Sequence, residues 1–215
     1  ATWLASAFVP DIATPKRLPG SQGFLAILAR RPVWMFFLAH FLLQLSHAPY
    51  YTFYSIYLES HGYSRSDIGW LWGLGVLAEV ALFMIMHRVL PAVGEHRLML
   101  WSLGLAALRW LMIGYGVDYP AVIWSAQLLH AASFATFHAA AMTLIYRHFG
   151  QGSQGQGQAV YSMLWGTGVA LGAWAAGTVW SVASAPVIFL LAALLCVVAL
   201  VLLGFGREQG AITRI

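Results

Sequence analysis

Between Gly62 and Leu90 the chain reads GYSRSDIGWLWGLGVLAEVALFMIMHRVL, in which a polar turn leads into an apolar run of membrane-crossing length whose one acid, Glu79, lies near its middle. Ser66 or Asp67 can cap a helix entering from the polar turn, and Pro91 predicts its stop. An ionised carboxylate facing lipid at that depth costs several kcal/mol. Glu79 must therefore be protonated, paired or turned into a polar interior, and the rest of the chain has to supply its surroundings.

Of the 215 residues, 60% are hydrophobic and only 8% charged, against about 25% charged in a soluble domain, so most of the length belongs in lipid. The net charge of +4 does not point to nucleic acid, because the basic residues stand at segment ends rather than along a groove. The single cysteine, Cys196, lies inside the last apolar run, which excludes a disulfide framework and a thiolate metal cluster.

These patterns predict an all-α integral membrane protein. Residues 1–9 read as the tail of a preceding transmembrane helix. Residues 10–31, with Pro10, Pro15 and Pro19, read as a cytoplasmic linker that includes a short amphipathic helix from Ser21 to Arg30. The expectation is a fragment or processed product of something longer, with a naturally short protein as the alternative. Residues 32–206 then form a six-helix transmembrane bundle with spans over 32–58, 66–90, 96–117, 120–148, 159–183 and 185–205, and 207–215 form a cytoplasmic tail. Pro49 predicts a kink in the first span, and Gly150 to Gln158 a flexible polar linker before the fifth. Gly168 and Gly172 make a small-xxx-small pair for close helix approach. The sixth span is apolar throughout and is expected at the periphery. Arg30, Arg31, Arg88, Arg97, Arg147 and Arg207 fall on one side and only Arg65 on the other, which places both bundle ends in the cytoplasm.

Arg109 is the guanidinium inside a span, at the depth of Glu79 on the neighbouring one, so an internal pair is expected. That pair admits two readings, a structural salt bridge or part of a transport path. His130 sits at a comparable depth on the fourth span, where its ring can accept or donate a proton or simply pack as a hydrogen-bonded core residue. Gln127, His130, Phe134 and His138 recur at helical spacing as a polar and aromatic stripe, with His138 two turns nearer the cytoplasm. His40, Gln44 and His47 share one side of the first span and form a candidate second wall. They lack a further compact ligand group, so no metal is expected. Tyr50, Tyr51, Tyr54 and Tyr57 lie toward the outer end, where some are expected as interfacial anchors and one on the polar side as a ligand contact, and Trp70 and Trp72 fit a membrane boundary. Trp165, deeper beside the glycine-rich face, is a candidate ligand contact. No phosphate loop, nucleotide motif, zincin pattern or nucleophile elbow occurs, so neither an enzyme nor a cofactor is indicated.

The strings HAPYYTFYSIYLESHGYS, GWLWGLGVLAEVALF, RW at Arg109, QLLHAASFATFHAAAM and QAVYSM follow one another in an order that resembles the carboxy-terminal six-helix half of a major facilitator superfamily transporter. The resemblance is to the 3-phenylpropionic acid transporter and lactose-permease-like group. It implies roles for Glu79, Arg109 and His130 in a substrate and proton-coupling network. Gln127 stands where sugar transporters of the group have a lysine and Ser133 where they have an acid, which leaves Glu79, coupled to His130, as the protonatable candidate. Arg109 is then available to a carboxylate substrate. The implied function is proton-coupled symport of a small organic substrate, an aromatic carboxylate of phenylpropionate type, across a bacterial inner membrane. The alternatives are a sugar or nucleoside symporter, or a non-transporting membrane scaffold. The implied partners are the lipid bilayer, protons and either an amino-terminal six-helix half or a second copy as a homodimer.

Overall fold

The computed structural model describes residues 23–206, so the expected helix tail at 1–9, most of the linker and the tail at 207–215 lie outside the described residues. Within it the chain forms a short α1 (Phe24–Leu28) and six long helices: α2 (Arg31–Ser60), α3 (Arg65–Val93), α4 (Glu95–Tyr115), α5 (Pro120–Gly150), α6 (151–180) and α7 (Ala185–Phe205). No strand occurs among the described residues. Four of the helices, α3, α4, α5 and α7, are long and apolar enough to cross a membrane. The other two, α2 and α6, are the ones that carry His40, Gln44 and His47 and the run of glycines.

The cap of α3 lies at Ser64, not at Ser66 or Asp67. Ser64 Oγ accepts from the Asp67 amide at 3.1 Å, and Asp67 Oδ2 accepts from the Ser64 amide at 3.1 Å, a reciprocal pair that satisfies two otherwise orphaned donors. At the far end the helix runs through Pro91 to Val93 before Gly94, at φ 86°, turns the chain into α4. Pro91 removes one amide hydrogen bond so near the terminus that the last turn still closes; the positive φ that only glycine adopts without strain is what ends the helix.

The linker expected over 150–158 is also helical. Only Gly150, at φ 58°, leaves helical geometry, and α6 begins directly after it. The fold-back is tight: a Cβ on Gly157 would lie 2.8 Å from the Phe149 ring and 3.0 Å from Ile145, so a glycine lets the first turns of α6 rest on α5. Nor is α7 peripheral. Ile188, Phe189, Ala192, Cys196, Ala199 and Leu203 form a buried stripe at helical spacing against α2 and α4, and Cys196 Sγ donates to Ser46 Oγ at 3.1 Å.

The crossing of α6 over α2 depends on the Gly168 and Gly172 pair. A Cβ at Gly172 would stand 2.5 Å from the Leu45 carbonyl oxygen and 2.6 Å from Ala48 Cβ; at Gly168 it would stand 2.9 Å from Gln44 Cβ. Leu45 O is the acceptor that Pro49, lacking an amide proton, leaves without its helical donor. The α6 backbone therefore covers the one gap in the α2 ladder. At the outer end, Tyr57 and Tyr63 donate to the Gly114 and Val117 carbonyls at 2.9 and 2.8 Å. Burial, together with the nearby Asp118 and Asp67 carboxylates, holds the Tyr63 phenol above its ordinary value and so keeps it a donor.

Gly172→Val is expected to destabilise the bundle by about 1–3 kcal/mol, as overpacking does. Gly166→Ala, on the same helix with nothing within 4 Å of the added carbon, is expected to be neutral or stabilising. Thermal unfolding in detergent separates the two.

Candidate functional site

The polar centre is assembled around α5, which packs against α2, α3 and α4 while α3 and α4 scarcely touch each other. Gly75 makes the approach from α3 possible, since a Cβ there would lie 3.3 Å from Gln127 Oε1 and 3.5 Å from His130. One turn further along α3, Glu79 Oε1 meets His130 Nε2 at 2.7 Å, with the Glu79 side chain 19% exposed and that of His130 8%. His130 Nδ1 has no partner.

Arg109 is fully buried, and it is not paired with Glu79. Its Nε donates to the Ala126 carbonyl at 3.0 Å, and its guanidinium carbon lies 4.1 Å from the Tyr50 ring centre and 4.6 Å from that of Trp110. Nη1 and Nη2 meet no acceptor. The expected Glu79–Arg109 contact fails because α5 stands between the two helices; the charges feel one another's field without touching. Two aromatic faces partly offset desolvation of the cation, at about 2 kcal/mol for a desolvated contact.

The remaining candidates divide into two groups. Gln127 is buried beside Arg109, with Oε1 accepting from Tyr50 O–H at 3.0 Å and Nε2 unpartnered. His47 is buried with Nδ1 2.9 Å from the Leu43 carbonyl and its ring edge-on to Trp110 at 4.9 Å and 6.2 Å from His130; its Nε2 is unpartnered. Gln44 is buried under the Gly168 crossing, its Oε1 likewise without a donor. His40 and Trp165 stand apart, with Tyr161 and His138, and are linked to the centre by Phe134, which is stacked on His130 at 5.3 Å and edge-on to Trp165 at 5.2 Å.

Three residues of the centre are not singled out by the sequence as members of it. Tyr50 and Tyr54 are buried rather than interfacial, Tyr50 supporting both Arg109 and Gln127. Trp72 packs on Tyr50 at 4.5 Å and donates to Ser55 Oγ at 3.1 Å. A signal was present: 72, 75 and 79 share one face of α3, as 47, 50 and 54 share one face of α2. An apolar cavity of about 280 Å³ lined by Leu45, Pro49, Gly172, Val179, Leu191 and Leu195 lies between α2, α6 and α7, apart from this centre.

The arrangement therefore offers an acid–imidazole pair on the open side and, one helix away, a guanidinium with two free amino groups walled by aromatic rings. It is a helical membrane bundle with ionisable groups buried at its middle, and the chain belongs to the MFS_1 like family, whose model matches residues 5–191. Over 144 residues it is 39% identical to the "Probable 3-phenylpropionic acid transporter" of Escherichia coli (strain K12), a match that covers 66% of this chain and 37% of that relative. The chain thus aligns with little more than a third of the relative's length. No solved structure matches it. The chain is a multi-pass membrane protein.

Since a buried cation is rarely retained for stability, Arg109→Met, similar in volume, is expected to leave the melting temperature unchanged or raised. Arg109→Lys, which loses the Nε bond to Ala126 O, is expected to cost about 1.5–3 kcal/mol. Thermal unfolding of the purified variants reads both.

Proposed function

We propose that this bundle is one half of a secondary transporter that moves a small organic carboxylate together with protons. The observation that carries the reading is Arg109: a guanidinium buried at mid-bundle, with Nη1 and Nη2 unpartnered, beside the free Nε2 amide of Gln127. Donors without acceptors, set in a low-dielectric site, are what a carboxylate fills with two parallel bonds. Tyr50, Tyr54, Trp72 and Trp110 supply apolar ring faces around that point, which suits an aromatic acid better than a sugar, whose hydroxyls need many polar partners. The substrate named for the Escherichia coli relative has both features, a carboxylate and a phenyl ring.

Glu79, held by His130 rather than by Arg109, is the proton-carrying acid in this reading. Protonating it removes a negative charge that Arg109 senses from across α5, so substrate affinity and proton binding are coupled through the field. Glu79 also remains partly open, on the face where a second six-helix unit closes the path, as in transporters built from two repeats. That unit is either more of the same protein or a second copy. Arg31, Arg88, Arg97 and Arg147 all lie at the end of the bundle holding the Gly94 and Gly150 turns, and this end faces the cytoplasm of a bacterial inner membrane.

The protein reconstituted in liposomes is expected to exchange radiolabelled 3-phenylpropionate and to make the outer medium more alkaline when substrate is added. Arg109→Gln is expected to lose exchange altogether. Glu79→Gln is expected to retain exchange and lose the proton signal; exchange of a sugar or nucleoside but not of the acid would reject the carboxylate assignment.

A further inference from the structure

One turn beyond His130 stands Ser133, which is buried and donates to the His130 carbonyl at 3.1 Å, so no group there can hold a proton. The next titratable side chain along α5 is His138, about 12 Å further toward the Gly150 end at 1.5 Å per residue. It is half-buried, edge-on to Phe83 at 6.4 Å, and Phe83 lies one turn past Glu79 on α3. The His138 ring is held in a built setting. Its Nδ1 is 3.1 Å from the Tyr161 hydroxyl, and Trp165 meets it edge-on at 6.0 Å. Tyr161 is in turn fixed by His40, whose ring stacks on it at 3.8 Å while Nε2 donates to the Tyr161 carbonyl at 3.1 Å. Three helices thus immobilise one imidazole between the Glu79–His130 pair and the arginine-rich end.

The titratable groups acting on this ring are Glu79 from α3, His40 from α2 and Tyr161 from α6; Arg109 of α4 acts instead on Glu79 and His130. A stack this ordered is more than a packing solution requires, since phenylalanine at 138 would fill the same space without a polar edge. The Nδ1 contact leaves Nε2 as the ring's open position.

We propose that His138 receives the proton from Glu79 on its way to the Gly94 and Gly150 end, with Tyr161 as the positioning residue; this rests on the proton-coupled reading above. The proton leaves a Glu79 carboxyl oxygen, crosses along a chain of water molecules and binds Nε2 of a His138 whose Nδ1–H donates to Tyr161 Oη. Glu79 is left as carboxylate and the ring as imidazolium. Loss of the Nε2 proton to water restores the neutral ring.

The test compares two readouts on the whole protein in liposomes with radiolabelled 3-phenylpropionate: exchange at equal pH, which moves no net protons, and accumulation driven by a pH gradient. His138→Phe is expected to keep exchange and lose driven accumulation, and Tyr161→Phe to keep both while shifting the pH dependence of accumulation. Full accumulation by His138→Phe overturns the relay and leaves proton coupling standing. Loss of exchange as well makes His138 a structural residue and overturns it too. Absence of driven accumulation in the unsubstituted protein removes the coupling reading, and the relay with it.

Discussion

A guanidinium in the middle of a membrane bundle has to be solvated by the protein or by a ligand, and this structure does half of that work. Arg109 is given a carbonyl, two aromatic faces and no anion. Everything near it follows from that arrangement. Tyr50 must be buried to present its ring, its hydroxyl then needs Gln127, and Gln127 needs the close approach that Gly75 allows. Glu79, which would neutralise the cation in a simple salt bridge, is held away by the intervening helix and taken by His130. A direct pair would satisfy both charges and leave neither available.

The framework around this centre is held by contact rather than by charge. α2 and α6 approach until glycine backbone meets carbonyl oxygen, and α7 lays a stripe of small and branched residues against α2 and α4. Since lipid tails are as apolar as leucine, such shape matching is the main attraction available between helices in a bilayer. The ion pairs outside the core, Arg147 with Glu95 and Arg65 with Glu59, lie at the bundle ends, where water screens them.

The helical architecture and the identity of the buried ionisable residues were legible in the sequence, because in a chain this apolar each ionisable residue at mid-span stands out. Contacts were not. Matched depth suggested that Glu79 and Arg109 pair, but depth along an axis says nothing about which helix stands between two others, and α5 does. Composition leaves the tyrosines divided between interfacial anchors and a ligand contact, and only the shared side of α2 with His47 assigns Tyr50 and Tyr54 to the interior. The glycine- and glutamine-rich stretch after Gly150 was read as a linker because flexibility was inferred from glycine content; glutamine sustains a helix well, and Gly157 is needed there for packing. Caps and stops shifted by two or three residues for local reasons, the Ser64–Asp67 box and the torsion of Gly94.

Gly150 carries one more implication. Because a single residue joins α5 to α6, the inclination of one rod relative to the other is governed by two torsion angles and by the seat of Gly157 on Phe149. α5 bears His130 and His138, whereas α6 bears Trp165 and clasps α2. The position of the Trp165 indole beside His138 is therefore set by one glycine's torsions, and a side chain at 150 would displace it while leaving every helical turn wound.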